Sequence, residues 1–291
     1  MGPLLPIEDL ADWAGRRRSF WQQMYPGENV PAEEFLPPSA LRNADSITMW
    51  LGTGPGDQLA LAWVCEVLGR LRLERTNLEV IQFTDHLSIR HRIPSLGLLN
   101  SEQLKPHRDS VQLTSLEREV LREAWAGATD VTPELLVNLL SRQDQSLPTL
   151  RGALAQTIWR YPDSRTGLSR WDSRLLANLR DHGPRAIVAL AETLCAPGWD
   201  DDPVGDRWLF WRARRFADQF LAHPLVRLHG SVSDYRAATV EVTPAGDAVL
   251  AGSANALDLN GIDDWVGGVH LSSKEQRVWV CENGNLVRRS G

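Results

Sequence analysis

A strand, a helix and a second strand follow one another between residues 47 and 83, and this succession constrains the fold more than any other feature. Residues 47–51 form a short apolar run, residues 58–73 carry apolar side chains at helical spacing, and residues 78–83 are again apolar and β-like. Two neighbouring strands joined through a helix of this length are expected to be parallel. The pattern therefore predicts an N-terminal α/β domain with an incomplete Rossmann-like parallel sheet.

The rest of the chain reads as mostly helical. Residues 111–162 contain helical segments at 116–125, 133–140 and 150–159, and Thr132 before Pro133 is predicted to cap the second of these. Three further helices are predicted at 168–181, 184–195 and 206–222, followed by short strands at 225–229 and 239–242. Three helices followed by a β-hairpin are the order of a winged helix.

The chain ends in three short β-like segments at 269–271, 277–280 and 285–289, with a hairpin turn at Glu282, Asn283 and Gly284. These segments predict a small antiparallel sheet. The expected domains are an α/β Rossmann-like domain at 1–110, a helical connector at 111–162, and a winged-helix-like C-terminal domain with this sheet at 163–291.

Cysteine content and hydropathy favour a cytoplasmic protein. Cys65, Cys195 and Cys281 are far apart and form no C-x-x-C pair, which argues against a disulfide framework or a zinc site. The N-terminus lacks the pattern of a signal or transit peptide. The longest apolar stretch, 59–73, is interrupted by Glu66 and Arg70, so no membrane partner is expected.

The charge balance does not favour nucleic acid as the partner. The formal net charge of the chain is -6, and neither half forms a basic arm. Proteins that bind nucleic acid normally present a positive face to the phosphates. Nucleic acid therefore stays open as a partner but gains no support from the net charge.

Several segments resemble the bacterial family called domain of unknown function 1835. The matching pieces span nearly the whole chain and include ITMWLGTGPGDQLALAW, RYPDSRTGLSRWDSRLL and NGIDDWVGGVHL. The match is specific in the order and spacing of these pieces, and the resemblance brings no established activity, cofactor or catalytic residue. Relatives carry an upstream strand before the segment that matches Gly2, Pro3 and Leu4, so this strand is expected to be missing from this chain.

The loop between the first strand and its helix is the first candidate ligand site. A loop that follows a strand and opens a helix presents backbone N–H groups to anions, and the second predicted strand ends at the same edge of the sheet. This arrangement predicts a pocket for a small anionic ligand, lined by Gly54, Asp57, Gln58, Asp85 and His86. The alternative is that Asp57 only caps the helix.

The third C-terminal helix is the second candidate, as a contact surface for a partner. Its apolar side chains are expected to face the core while Arg212 and Arg214 stay outside, where they would contact phosphate or a peptide. The alternative is that both arginines solvate the helix and pair with nearby aspartates at 202, 206 or 218.

Two acidic groups each have more than one interpretation. Asp263, Asp264 and His270 could form an acid/base site beside Trp265, or only a capped turn. The aspartates at 200–202 and 206 lack the ligand spacing of a calcium loop, so no metal site is predicted.

The leading prediction from the sequence is a bacterial, cytoplasmic binding or regulatory protein without an identifiable catalytic constellation. One alternative is an enzyme that acts on a nucleotide or another anionic metabolite at the strand ends, with Asp85 or His86 as proton carrier. The other is a winged-helix protein that binds DNA or a peptide. Whether the chain is an enzyme, and which cofactor it would use, stays open here.

Overall fold

The computed structural model describes residues 3–24, 41–85, 92–105, 109–142, 146–194, 202–230 and 238–289. Within these ranges the protein is a mixed α/β structure of helices and small sheets. It forms two compact units, which we call unit 1 (Met1–Gln156 with Gly267–Val269) and unit 2 (Thr157–Val266 with His270–Gly291).

Unit 1 combines a small sheet with six helices in the described ranges. The strands are β1 (Ser46–Leu51), β2 (Asn77–Gln82) and β3 (Val111–Gln112), and the helices are α1 (Leu10–Met24), α2 (Pro55–Arg70), α3 (Ser101–Leu104), α4 (Ser115–Thr129), α5 (Glu134–Ser141) and α6 (Pro148–Thr157).

The sheet of unit 1 has the order β1-β2-β3. β1 and β2 are parallel and in register from Ser46 opposite Asn77 to Leu51 opposite Gln82, which confirms the predicted parallel pair. β3 was not predicted, and it pairs antiparallel with β2. The sheet is therefore mixed, with two parallel strands and one short antiparallel strand.

The core of unit 1 is formed by apolar side chains from its sheet and from its helices. Leu68 of α2, Leu78 of β2 and Leu121 of α4 are fully buried in one apolar cluster. Trp13 stacks on Trp63 with ring centroids 5.7 Å apart. Since α4, α5 and α6 contribute to this cluster, the segment predicted as a separate connector at 111–162 packs mainly within unit 1.

The start of α5 differs from the prediction by one position. Pro133 is the residue that precedes the helix, and the first helical residue is Glu134. The backbone N–H of Thr132 donates to Asp130 Oδ1 at 2.8 Å, so Thr132 belongs to a turn closed by an aspartate. The prediction that Thr132 caps this helix is wrong.

The remaining α-helices and strands belong to unit 2, apart from one strand residue. They are α7 (Arg170–His182), β4 (Arg185–Ala186), α8 (Ile187–Leu194), α9 (Asp206–Phe216), β5 (Val226–His229), β6 (Thr239–Val242), α10 (Pro244–Ala251), α11 (Ala256–Asn260), β7 (Asp263–Val266), β8 (Val269–Ser272), β9 (Trp279–Glu282) and β10 (Asn285–Arg288). The exception is Val269, the first residue of β8, which falls in unit 1.

A three-stranded antiparallel sheet with the order β4-β6-β5 packs with the helices of unit 2. Leu175 of α7, Leu190 of α8, Leu209 of α9 and Val240 of β6 are all fully buried in one cluster. These four side chains come from three helices and one strand, so the core of unit 2 holds the helices against the sheet.

Helix α9 ends six residues before the predicted end at 222. Its last residue is Phe216, and the N–H of Ala217 still bonds to Ala213 O at 2.9 Å. Asp218 Oδ1 then accepts the N–H of Phe220 at 3.0 Å. A short acidic side chain that bonds to the backbone two residues on competes with the helix, which explains the early end.

The terminal strands form two hairpins, whereas a single small sheet was predicted. β7 pairs with β8, and β9 pairs with β10. The turn between β9 and β10 has positive φ angles at Asn283 (51°) and Gly284 (82°), the geometry of a two-residue hairpin turn. The predicted turn is therefore in place, while the pairing of 269–272 with 263–266 was missed.

Among the helices of the described ranges, none has both the length and the apolar character needed to cross a membrane.

Candidate functional site

The strand ends of unit 1 hold three of the predicted ligand-site residues. Gln58 is 2 % exposed, and its Nε2 donates to Gly52 O at 2.7 Å and to Gln82 Oε1 at 3.0 Å. Since Gln82 is the last residue of β2, this side chain ties the β1–α2 loop to the end of the neighbouring strand. Gln58 thus has a structural role, because it bonds the loop to the end of β2.

Asp57 holds the same loop from the other side. Its Oδ2 accepts the N–H of Gly52 at 2.7 Å and the N–H of Leu96 at 3.2 Å. The residue that precedes helix α2 is Gly54, and it makes no side-chain cap. Asp57 therefore stabilises the loop by reaching back from the first helical turn, which neither the ligand hypothesis nor the simple cap described.

The backbone N–H groups of this loop are bonded within the protein. Thr53 N donates to Ile93 O at 2.7 Å, and Gly54 N donates to Pro94 O at 2.9 Å. Gly52 N is taken by Asp57, and Pro55 has no N–H. An anion would need to displace these bonds before it could use the N–H groups at 52–54.

The other two predicted residues of this pocket are Asp85 and His86. Asp85 is exposed three residues beyond the end of β2, and it forms a backbone bridge with Arg92. His86 lies outside the described residues. The structure thus joins Gly54, Asp57 and Gln58 in one bonded loop, and the pocket with Asp85 and His86 stays a prediction.

Arg212 is the centre of a charged network in unit 2. Its Nε and Nη2 donate to the two carboxylate oxygens of Asp172, each at 2.6 Å, and its Nη1 donates to Asp264. The side chains of Arg212 and Asp172 are 11 % and 1 % exposed. The expectation that Arg212 stays outside is therefore wrong, because α7 and β7 each bring a carboxylate to this face of α9.

Burial and ion pairing act against each other in this network. Burial raises the pKa of Asp264, but the charges of Arg212 and Arg215 outweigh it and hold that pKa below its usual range. Burial lowers the pKa of Arg212, but Asp172 and Asp264 bring it above its usual value. Burial also lowers the pKa of Arg215, and Asp264 offsets only part of this effect. Asp264 and Arg212 thus stabilise each other in their charged forms.

A cavity of about 300 Å³ opens beside this network, and we call it the α9 cavity. It is formed by α9 and the turn after it, by α11, by the start of β7 and by the turn after β8. Its charged lining residues are Arg212, Arg215, Lys274, Asp218, Asp263 and Asp264. Its apolar lining includes Phe216, Leu221, Leu225 and Ile262.

Arg215 is the arginine of α9 that borders both the network and the cavity. It donates to the backbone oxygen of Asp263, its Nη1 lies 3.6 Å from Asp264 Oδ1, and its guanidinium lies 5.0 Å from the ring centroid of Trp211. Its side chain is 35 % exposed. Arg215 is thus held in place while part of it remains accessible.

Arg214, the other predicted contact residue, is partly exposed. Its guanidinium lies 5.9 Å from the ring centroid of Phe210, and it makes no ion pair with the residues that the structure describes. The predicted contact of Arg214 with a partner stays a prediction.

The predicted acid/base group around Trp265 is divided by the structure. The rings of Trp265 and His270 stack at 4.5 Å, and His270 Nε2 lies 2.7 Å from Asp263 Oδ1. Asp264 instead bonds to Arg212. Asp263 and His270 are therefore in contact, Asp264 has a separate partner, and the acid/base site stays a hypothesis.

The predicted acidic loop lies partly outside the described residues, at 200 and 201. Asp202 is buried and accepts two bonds from Arg160, at 2.8 and 2.7 Å. In the parts of the chain that the structure describes, no group of three or more His, Cys, Asp and Glu side chains could hold a metal ion.

Sequence reasoning missed Asp172, Arg215 and Lys274 as members of this site. The pattern Ser169 to Asp172 signals a helix start, and the structure has that capping box as well, so the sequence offered a sufficient reason for Asp172 without its arginine. Arg215 recurs with Trp208 and Trp211 at helical spacing, but that spacing does not indicate a cavity. Lys274 carries no motif.

Comparison of the chain with protein-family models gives no match, and comparison with curated proteins gives none either. The resemblance to the domain of unknown function 1835 family therefore stays a prediction from the sequence.

Proposed function

We propose that this chain is a regulatory binding protein that holds a small ligand in the α9 cavity of a winged-helix-like unit 2. The winged-helix assignment is supported by the succession α7, β4, α8, α9, β5 and β6, in which the first short strand pairs with the last one. The sheet order β4-β6-β5, with the β5–β6 hairpin beside three helices, supports the same assignment.

The observation that carries the proposal is that two arginines of α9, Arg212 and Arg215, bond to groups within unit 2. In helix-turn-helix proteins the later helix of the motif enters the major groove of DNA, and its polar side chains face outward. Here Arg212 forms ion pairs with two internal carboxylates, and Arg215 is held by Asp263 and Asp264 beside a cavity. This arrangement favours a ligand enclosed by α9 over a nucleic acid lying across it.

The size and lining of the α9 cavity fit a metabolite. Sites for small molecules occupy about 300–1,000 Å³ and combine apolar walls with a few fixed polar groups. The cavity volume of about 300 Å³ lies at the lower end of that range. Its arginine–carboxylate pairs can hold and orient a ligand, and the proposal is binding without an assigned reaction.

The proposal gives unit 1 an accessory role, as a Rossmann-like domain. The parallel pair β1 and β2 with α2 between them supports that assignment, and the antiparallel β3 limits it to a small sheet. The bonded N–H groups at 52–54 favour unit 2 as the ligand site. The enzyme alternative at Asp85 and His86 stays a prediction.

A thermal-shift screen of the purified full chain against a metabolite library tests the proposed function. A ligand that binds only the folded state raises the midpoint of unfolding by mass action. The matched variants are Leu221→Trp, which fills the α9 cavity, and Phe220→Trp at the neighbouring position. Phe220 is 87 % exposed and lies outside the lining.

We expect at least one metabolite to raise the midpoint of the wild type and of Phe220→Trp but not of Leu221→Trp. A ligand whose effect survives Leu221→Trp would place binding elsewhere, and a library without any hit would contradict the proposed function.

A further inference from the structure

We infer that the α9 cavity binds a small zwitterion with an apolar side chain, of the class of the aliphatic and aromatic α-amino acids. This inference rests on the proposed function. The juxtaposition behind it is that cations, carboxylates and an apolar wall line the same cavity.

The charges of the network cancel before a ligand is considered. Arg212 and Arg215 are matched by Asp172 and Asp264, which they contact. The remaining charged groups of the lining are Lys274, Asp218 and Asp263, so charges of both signs line the cavity. A purely anionic ligand would face two carboxylates, and a purely cationic ligand would face Lys274.

The carboxylate of a zwitterion finds two donors here. Lys274 is exposed and forms no ion pair within the described part of the chain, and the side chain of Arg215 is partly accessible. An ammonium and a guanidinium that line the same cavity suit a carboxylate, because both donate charge-assisted hydrogen bonds.

The ammonium group of a zwitterion finds acceptors on the acidic residues. Asp218 Oδ1 accepts from Phe220 N, and Asp263 Oδ1 faces His270. Within the described residues, no hydrogen bond engages the second oxygen of either carboxylate. Each can therefore accept from a ligand while its first oxygen stays bonded to the protein.

The apolar wall decides which zwitterions fit. Leu225 is fully buried, and Phe216, Leu221 and Ile262 are partly buried, so these four side chains offer a hydrophobic surface next to the charged groups. An apolar ligand side chain gains binding free energy there by leaving water. The small volume argues against nucleotides and other ligands of that size.

Isothermal titration calorimetry with three matched ligands tests the ligand class. The ligands are L-leucine, 4-methylpentanoate, which lacks the ammonium group, and 3-methylbutylamine, which lacks the carboxylate; L-phenylalanine and its two analogues form a second set. Each missing charge-assisted hydrogen bond should weaken binding by about tenfold or more. We expect at least one amino acid to bind and both of its analogues to bind at least about tenfold more weakly.

Two variants locate the binding groups. Lys274→Met and Asp218→Asn change exposed lining residues and should each lower the affinity for the amino acid by about tenfold. The control is Arg277→Met, whose side chain is 63 % exposed and lies outside the lining. It should leave the affinity unchanged.

The outcomes separate this inference from the proposed function. Equal binding of the amino acid and 4-methylpentanoate would overturn the zwitterion and leave the cavity as an anion site. If no amino acid binds while a library hit is lost in Leu221→Trp, the ligand class is wrong and the proposed function stands. If binding of the amino acid is unaffected by Lys274→Met and Asp218→Asn, the amino acid does not bind in the α9 cavity as inferred.

Discussion

At the scale of single residues, Arg212 stabilises unit 2 because it pairs with two carboxylates, those of Asp172 and Asp264. Asp172 is 1 % exposed, and without the guanidinium its charge would be buried and unpaired. Removing one partner of a buried ion pair costs about 3–5 kcal/mol. We expect Arg212→Met to lower the free energy of unfolding by that amount, measured by urea denaturation.

The matched control is Arg214→Met, two residues along the same helix. Arg214 forms no ion pair with the described residues, so its replacement should change the free energy of unfolding by less than about 0.5 kcal/mol. Similar losses for both variants would mean that the Arg212 pairs add nothing specific to stability.

Asp264 makes this stability depend on pH. Its pKa in the folded protein lies below the usual value, which is about 3.9 for an unfolded chain. A carboxylate with a depressed pKa stabilises the fold fully above the unfolded value, and this stabilisation is lost as the pH falls through the folded value. We therefore expect Asp264→Asn to destabilise the protein at pH 7 and the difference from wild type to shrink below about pH 4.

Urea denaturation of both proteins between pH 7 and pH 3 measures this difference. A gap between wild type and Asp264→Asn that is constant over the range, or that widens on acidification, would show that the Asp264 charge is not what stabilises the fold.

At the scale of elements, the β1–α2 loop depends on a close backbone approach at Gly52. A Cβ on Gly52 would lie 2.6 Å from Ile93 O and 2.8 Å from the carbonyl carbon of Pro94. Backbone atoms cannot move aside as the end of a flexible side chain can. Gly52→Ala should therefore destabilise the protein by about 1–3 kcal/mol, the usual cost of overpacking, as measured by thermal or urea unfolding.

Gly56 in the first turn of α2 provides the comparison. A Cβ there meets nothing within 4 Å, and alanine is the better helix former. Gly56→Ala should be neutral or stabilising by up to about 1 kcal/mol. If Gly52→Ala is tolerated equally well, the described contact of the loop with residues 93–94 is not tight.

Elements that depend on local pattern could be predicted from the sequence. The parallel pair β1 and β2 follows from two apolar runs around an amphipathic helix, and the β9–β10 turn follows from Asn283 and Gly284. Local competition caused the errors: Asp218 ends α9 early, and Asp130 draws Thr132 into a turn. Pairings of very short strands, such as β3 with β2, leave almost no signal because two residues show no periodicity.

At the scale of the whole molecule, the candidate site depends on contacts that no local pattern encodes. Arg212 meets Asp172 across 40 residues of sequence and Asp264 across 52. Helical spacing could place Arg212 only relative to its own helix, and a solvated arginine was the simpler interpretation. The loop at 52–58 had a recognisable position in an α/β unit, but its bonds to residues 93–96 were equally beyond reach.

The charge of the whole chain leads to the last prediction, which concerns DNA. The formal net charge is -6, Arg212 is enclosed by carboxylates, and Arg215 is held beside them. A protein that neutralises six or more phosphates loses about 10³-fold or more in affinity between about 50 and 200 mM salt. We expect no such salt-sensitive binding when a labelled duplex is titrated with the full chain and followed by fluorescence anisotropy.

Arg214→Ala serves as the control, because Arg214 is the α9 arginine that was predicted to contact a partner and is still partly exposed. If the wild type bound the duplex with that steep loss, and Arg214→Ala weakened the binding and reduced the salt dependence, α9 would read nucleic acid from its outer face and the small-ligand function would lose its main argument.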